Sequence, residues 1–278
     1  MIGRIWALAS LAVVSLLIGV ATASASVTLG QLAPSSMANC DAPAVDLITP
    51  TVSSGNSYVA PGDGTITSWS THGANVALTG SAKLKVFRKV ADPAKYEVVT
   101  QDTARSLNPT VVNTFNVTMG GIHAGDVIGL TFLTHTGCQY PVPGGSFLSH
   151  SPELATGGQG DFNVSSGFQV DVSASFDPSH KFTLGAVTRN KKRGTATLAG
   201  TFPGQGQVVL SGKGLKGAGT PIQVAAKGDV ALPIKAAGAK RRTLFDTGKV
   251  TLNVSASYTP TGGSAGTAAT KVKLKKKV

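Results

Sequence analysis

The stretch "GKVTLNVSASYTP", residues 248–260, alternates apolar and polar side chains along its length. Successive side chains of a strand point to opposite faces, so this pattern predicts a half-buried β-strand. The C-terminal "TKVKLKKKV", residues 270–278, repeats the pattern, with lysines alternating with Val272 and Leu274. We expect this stretch to be a closing strand rather than a loose arm. If it lies at a sheet edge, its lysines would also discourage strand-to-strand aggregation.

Residues 178–278 contain several more alternating runs, which are separated by Gly-rich or basic turns. An antiparallel sandwich of about seven short strands in about 100 residues is typical of an immunoglobulin-like domain. The basic stretches "RNKKRG" (189–194) and "AKRR" (239–242) are interpreted as turns between strands. Neither a cysteine pair nor a tryptophan marks an antibody-type domain, so the prediction depends on strand number and patterning.

The sequence of the first half of the chain, from residue 26, also predicts β-structure throughout. Residues 26–177 contain eight short runs rich in Val, Ile, Thr and Phe, with turn-forming residues between them. Apolar residues at helical spacing are almost absent, which favours an all-β, jelly-roll-like sandwich over a parallel α/β sheet. The segment 136–162 carries three prolines and several glycines with little alternation. We expect it to be a long loop.

Charge divides the chain into the same two halves. Residues 26–177 contain 6 Lys/Arg and 11 Asp/Glu, a net charge of −5, whereas residues 178–278 contain 18 Lys/Arg and 2 Asp/Glu, a net charge of +16. Such an asymmetry is typical of a domain boundary. We therefore expect an acidic domain over 26–177 and a basic domain over 178–278.

The N-terminus has the features of a secretory signal peptide. Arg4 precedes an apolar run from Ala7 to Val20, and small residues at 23–25 provide a cleavage pattern after Ala25. The alternative is a membrane-spanning helix, which requires about 20 apolar residues. This run is shorter and is interrupted by Ser and Gly, so we expect residues 1–25 to be removed and the product to be secreted or held at the cell surface.

Two cysteines, Cys40 and Cys138, both lie in the acidic half. An exported chain meets an oxidising environment in which a cysteine pair persists as a disulfide. Two cysteines without CxxC spacing or neighbouring histidine ligands make a poor zinc site, which is the alternative interpretation. We predict a Cys40–Cys138 disulfide and no metal.

The sequence carries no recognisable catalytic constellation. The five histidines are scattered, without the HExxH or HxH spacing of metal ligands, and we interpret them as exposed loop residues. No G-x-S-x-G elbow or complete P-loop is present. A glycosidase-like carboxylate pair or a calcium site remains an alternative, because acidic residues fall in predicted turns of the acidic half. These are Asp63, Asp126, Glu153 and Asp161. We expect no enzymatic activity and no cofactor.

A carbohydrate ligand is the alternative that depends on aromatic side chains. Trp69 is the one tryptophan of the mature chain, and Tyr140 lies in the proline-rich segment. Both are candidate ligand contacts, because a flat apolar ring can stack on a sugar. Periodicity does not decide whether Trp69 is core or surface, and burial in the core is the competing interpretation.

Basic clusters of the second half are candidates for anion binding. Their members are Arg189, Lys191, Lys192, Arg193, Lys240, Arg241, Arg242, Lys276 and Lys277. Such charge attracts polyanions and is weakened by salt. Aromatic residues that could stack on bases are scarce, so no dedicated nucleic-acid binding is expected. An anionic cell-wall polymer or phospholipid surface fits an exported protein better, while simple solubility is the alternative explanation.

Two parts of the chain resemble known exported proteins. Residues 59–73, 84–90 and 107–132, followed by Cys138 and Tyr140, resemble the N-terminal β-sandwich of exported, uncharacterised actinobacterial proteins.

The second resemblance lies in the basic half. Residues 190–216, 247–263 and 271–277 are similar to the basic immunoglobulin- or fibronectin-III-like module at the ends of those proteins. The resemblance implies a two-sandwich exported protein and transfers no catalytic residue. We expect a non-enzymatic, envelope-associated binding or structural protein, with a carbohydrate-active protein as the alternative.

Overall fold

The computed structural model describes residues 25–34, 37–40 and 44–277. The expected signal peptide falls, except for its last residue, outside the described residues. Within the described ranges, no helix is long and apolar enough to cross a membrane. The described chain is all-β, with 63% of its residues in strands and one short helix.

Thirteen strands of the first half form one antiparallel sheet. Their bounds are β1 Val27–Gln31, β2 Ala38–Cys40, β3 Val45–Ile48, β4 Gly64–Gly73, β5 Gly80–Ala91, β6 Lys95–Gln101, β7 Arg105–Leu107, β8 Val112–Ile122, β9 Val127–Thr134, β10 Thr136–His150, β11 Gln159–Asp161, β12 Asn163–Val170 and β13 Val172–Pro178. The main path runs β1-β13-β4-β10-β3-β9-β5-β6-β11, and β2, β7, β8 and β12 pair beside it.

This sheet surrounds a single hydrophobic core. The core draws on strands from both ends of the path, including Leu29 of β1 and Tyr96 of β6. Strands β6 and β8 do not pair with each other but are in contact, so the sheet curves over its own inner face. The predicted disulfide is confirmed: Cys40 and Cys138 are bonded, with their Cα atoms 5.9 Å apart.

Seven strands of the second half form two smaller antiparallel sheets. Their bounds are β14 Thr183–Asn190, β15 Thr195–Phe202, β16 Gly206–Ser211, β17 Pro221–Val224, β18 Gly228–Ile234, β19 Lys249–Pro260 and β20 Gly266–Lys275. One sheet has the order β14-β15-β18 and the other β17-β16-β19-β20. A second core, separate from the first, lies among these strands and contains Phe202, Leu232, Leu252 and Tyr258.

The stretches 248–260 and 270–278 form the strands that their alternation predicts. Strand β19 buries every second residue from Val250 to Tyr258, and β20 pairs with it at the edge of the four-stranded sheet. Val272 and Leu274 are fully buried, while Lys271, Lys273 and Lys275 are exposed. The prediction of a strand with one apolar and one charged face is therefore confirmed, and the strand lies at a sheet edge.

Two local predictions are wrong. The segment expected to be a loop begins with β10, a strand of 15 residues. It remains a strand because β2, β3, β4 and β12 all bond to it, although its register shifts between Gly137 and Gln139 and again between Pro141 and Ser146. The basic stretch 239–242 is not a turn but part of helix α1, Gly238–Thr247.

Candidate anion-binding site

Three basic segments that are distant in sequence meet at one end of the second half. The turn at 191–194 contacts the tail, because the backbone N–H of Lys277 donates to the carbonyl of Lys191 at 2.9 Å. Gly194 is buried between Leu244 of α1 and the side chain of Lys276. Lys216 and Lys235 belong to the same region. We call the whole region the basic end: residues 191–194, 216, 235, 238–247 and 276–277.

A pocket of about 220 Å³ opens at the centre of the basic end. Its charged lining consists of Arg193, Lys216, Lys235 and Arg241, and Phe245 provides an aromatic wall. The backbone N–H of Lys216 donates to the carbonyl of Lys235 at 2.8 Å, which fixes these two lysines next to each other. The pocket therefore presents four cations and no carboxylate.

Phe245 is the one aromatic side chain of helix α1, and 45% of it is exposed. The guanidinium carbon of Arg241 lies 5.4 Å from the ring centroid and Nζ of Lys276 lies 4.7 Å from it. Both distances allow a cation–π attraction, which holds a cation next to an aromatic face. Only Leu244 of this helix is buried.

The cations of the basic end are not neutralised by a carboxylate in the part of the chain that the structure describes. Among the described residues, no cation of the basic end forms an ion pair with a carboxylate. In contrast, Lys227 of the second half pairs with Asp63 across the two halves at 2.9 Å. A set of close, unpaired cations raises the local positive potential and attracts anions.

The structure brings together most of the predicted anion-binding residues. Arg189, Lys191 and Lys192 line an open groove along β14, and the two lysines also belong to the basic end. Nε of Arg189 donates to the carbonyl of Lys273 at 2.7 Å, so its guanidinium is held against β20.

The remaining predicted cations lie within the basic end itself. Lys240, Arg241 and Arg242 are on α1, and Lys276 and Lys277 follow β20. Lys216 and Lys235 were not predicted, because each is a single lysine outside a basic cluster.

The two predicted ligand contacts lie in the core of the first half instead. Trp69 is fully buried and its Nε1 donates to Oδ2 of Asp102 at 2.9 Å. Tyr140 is 3% exposed and its hydroxyl donates to Oε1 of Gln169 at 3.1 Å. Neither ring presents a face to a ligand at the surface, so the structure supports the interpretation of Trp69 as a core residue and places Tyr140 in the core as well.

Most of the acidic residues considered as catalytic or calcium-binding groups are engaged in ion pairs. The pairs are Asp63 with Lys227, Asp126 with Arg88, and Glu153 with both Lys83 and Lys85. Asp161 lies on β11 opposite Lys95 of β6. Within the described ranges, no group of three or more His, Cys, Asp or Glu side chains could hold a metal ion.

The expectation of exposed loop histidines is wrong for His72. This residue lies on β4, and its Nδ1 is 2.8 Å from Oδ2 of the fully buried Asp171. The hydrogen bond with Asp171 raises the pKa of His72, and the negative charge acts in the same direction against the effect of burial. His72 is therefore part of the fold of the acidic half and not of the basic end.

Comparison with known proteins finds no family model that matches the chain and no match among curated proteins. A functional interpretation therefore depends on the geometry and charge of the basic end.

Proposed function

We propose that the protein is a secreted or envelope-associated, non-enzymatic binding protein. Its basic end adheres to an anionic polymer of the cell envelope. One observation carries the proposal: separate basic segments converge on a pocket whose four cations lack carboxylate partners. The signal-like N-terminal sequence supports export.

We also propose that the chain consists of two β-sandwich domains that meet near residues 177 and 178. Two separate hydrophobic cores support the division. A three-stranded and a four-stranded sheet support an immunoglobulin-like second domain, and the curved sheet supports a jelly-roll-like first domain. The acidic half contacts residues 203, 204 and 227, at the ends of β15 and β18 that lie opposite to the basic end, which leaves the basic end accessible to a polymer.

The mixture of side chains favours phosphate or carboxylate groups repeated along a chain. Arg193 and Arg241 can each donate two parallel hydrogen bonds to such a group, while lysines act as point charges. Exposed cations that bind a polyanion release its counterions, so binding should weaken steeply with salt. An anionic phospholipid surface offers the same phosphate chemistry without the polymer.

The basic end also carries an exposed ring that simple solubility would not require. Phe245 stays 45% exposed while two cations lie over its face. An exposed aromatic side chain in a charged pocket is common at binding surfaces. No observation favours the carbohydrate alternative, since both of its candidate rings are buried.

Cosedimentation of the purified protein with cell-wall material at rising salt tests the proposal. Arg193→Ala combined with Arg241→Ala should weaken binding at low salt at least tenfold. Lys181→Ala combined with Lys271→Ala removes the same charge from exposed positions outside the pocket and is the matched control. Anionic phospholipid vesicles form a second arm.

Three results have distinct meanings. Stronger loss in the pocket variant than in the control supports adhesion through the basic end. Equal loss in both variants would mean that net charge alone is responsible. Binding that resists high salt and depends on residues 26–177 would contradict the proposal.

A further inference from the structure

Lys85 of β5 is a fully buried lysine whose ammonium group has three oxygen partners. Its Nζ lies 2.9 Å from Oδ1 of Asp46, 2.9 Å from Oε2 of Glu153 and 2.7 Å from the carbonyl of Leu154. Asp46 of β3 is fully buried as well. Burial of two opposite charges costs free energy that their attraction repays only with good geometry. The burial of Lys85 and Asp46 therefore requires an explanation in terms of their chemistry.

The carboxylate of Asp46 is held in one orientation. Its Oδ1 accepts a hydrogen bond from the hydroxyl of Thr131, and its Oδ2 accepts one from the backbone N–H of Leu154 at 2.8 Å. Thr131 lies on β9, directly opposite Asp46 of the neighbouring strand. Both oxygens are thus fixed, and the nitrogen of Lys85 approaches the carboxylate from a defined side.

Glu153 is a second carboxylate at the same nitrogen. Burial raises the pKa of Glu153, but hydrogen bonds from Lys85 and Lys83 together lower it below its ordinary value. Its side chain is 28% exposed, whereas those of Lys85 and Asp46 are fully buried. Glu153 is therefore an ionised group in contact with the buried pair and able to accept a proton from it.

We propose that Lys85 and Asp46 join in an intramolecular amide bond, with Glu153 carrying the proton. The reaction is a condensation between the side-chain amine and the side-chain carboxyl group, and it releases one water molecule. It needs no oxidant, cofactor or second protein. Lys85 and Asp46 are the reacting groups, Glu153 is the catalytic residue, and Thr131 is a positioning residue.

The reaction begins when a proton of the Lys85 ammonium group moves from Nζ to Oδ1 of Asp46. This transfer leaves a neutral amine beside a neutral carboxylic acid. The nitrogen attacks the carboxyl carbon, and Glu153 takes a proton from the nitrogen and passes it to the departing hydroxyl group. That group leaves as water, the amide keeps one N–H, and Glu153 returns to its ionised form.

Position and burial both assist this reaction. Two groups held in contact react far faster than the same groups free in solution, since their orientation is already fixed. The product removes both buried charges and replaces them with a neutral amide. It would also connect β3 to β5 across β9, which lies between them in the sheet.

Mass spectrometry of the purified full-length protein, after reduction of its disulfide, tests the proposal. The wild-type chain should be lighter by one water molecule than its sequence requires. A chymotryptic digest should contain one branched peptide that joins the segments around Asp46 and Lys85. Lys85→Arg keeps the positive charge without the primary amine, and its mass should show no loss of water.

Two further variants separate the roles of the groups. Glu153→Gln keeps the two reacting groups but should abolish or greatly slow the loss of water. Lys89→Arg changes an exposed lysine of the same strand that pairs with Asp92 and not with the reacting groups, so it should leave the amide bond intact and is the matched control. Circular dichroism confirms that each variant is folded. A folded wild-type protein of full mass without the branched peptide would overturn the proposal, and complete bond formation in Glu153→Gln would overturn the role of Glu153.

Discussion

Nδ1 of His72 lies 2.8 Å from Oδ2 of Asp171, a carboxylate that is fully buried. Asp171 also accepts hydrogen bonds from the backbone N–H groups of His72 and Ala33. The imidazole is thus the titratable partner of a buried carboxylate. The hydrogen bond with Asp171 raises the pKa of His72 above its ordinary value of 6.5.

The pair predicts that the folded protein loses stability as the pH rises from the ordinary histidine pKa of 6.5 through the raised pKa of folded His72. Folded His72 binds its proton more tightly than an unfolded chain does, so the stabilisation is complete below the unfolded pKa. It is lost as the pH rises through the folded pKa. Urea unfolding at a series of pH values should show this decrease, and His72→Gln should flatten it. His123→Gln changes an exposed histidine and is the control; an identical decrease in the His72→Gln variant would contradict the prediction.

Replacement of Trp69 by Phe should weaken the acidic half without affecting adhesion. The indole N–H and the guanidinium of Arg105 both donate to Asp102, and Phe115 packs on the ring at 4.9 Å. Although burial raises the pKa of Asp102, these hydrogen bonds lower it below its ordinary value. Loss of the indole donor leaves a buried acceptor short of a partner, which costs about 1–3 kcal/mol. Urea unfolding followed by circular dichroism measures the loss, and cosedimentation with cell-wall material should be unchanged. Weaker adhesion in a folded Trp69→Phe variant would indicate that Trp69 contributes to ligand binding.

Reduction of the Cys40–Cys138 disulfide should destabilise the protein strongly. The bond closes a loop across a sequence separation of 98 residues. In the chain-entropy description, a loop of this size contributes about 4–5 kcal/mol by restricting the unfolded chain. Urea unfolding with and without reductant measures this contribution. The Cys40→Ser, Cys138→Ser double variant should match the reduced protein and be insensitive to reductant, and a reductant effect in that variant would point to another cause.

The sequence predicts best those features that depend on local alternation. Strand β20 is an example, because burial of Val272 and Leu274 and exposure of the lysines between them follow from a period of two. In β10 both prolines and two of the three glycines lie at the register shift between Pro141 and Ser146. There they interrupt the alternation, and the strand is held by partners from four other segments, which no local pattern records.

Helix α1 escaped prediction for a different reason. Only Leu244 is buried along its ten residues, and Ala237 provides no side-chain cap at its start. The helix therefore has neither an apolar stripe nor an N-terminal signal. The one local sequence signal of the helix is Gly248. This glycine ends the helix in the left-handed conformation, which glycine adopts without strain. The pocket of the basic end depends on this helix and on the tertiary pairing of Lys216 with Lys235, so its geometry could not be read from charge clusters alone.

Lys249 and Lys275 face each other directly across β19 and β20, next to the basic end. Both are exposed, and like charges in this position destabilise a strand pair. Lys249→Glu should therefore stabilise the fold by about 0.2–1 kcal/mol and at the same time weaken adhesion to cell-wall material. Urea unfolding and cosedimentation at low salt measure the two effects on one protein. Opposite changes in stability and binding would indicate that the lysine pair serves binding at the expense of the fold.

The matched control for this pair is Lys271→Glu. It makes the same change of charge on the same sheet, but opposite the uncharged Asn253 and further from the basic end. It should leave stability nearly unchanged and reduce adhesion less than Lys249→Glu does. If the two variants lose adhesion equally, the total charge of the basic half governs binding. A larger loss for Lys249→Glu would instead locate binding at the basic end, because screening by salt confines the influence of an exposed charge to about 10 Å.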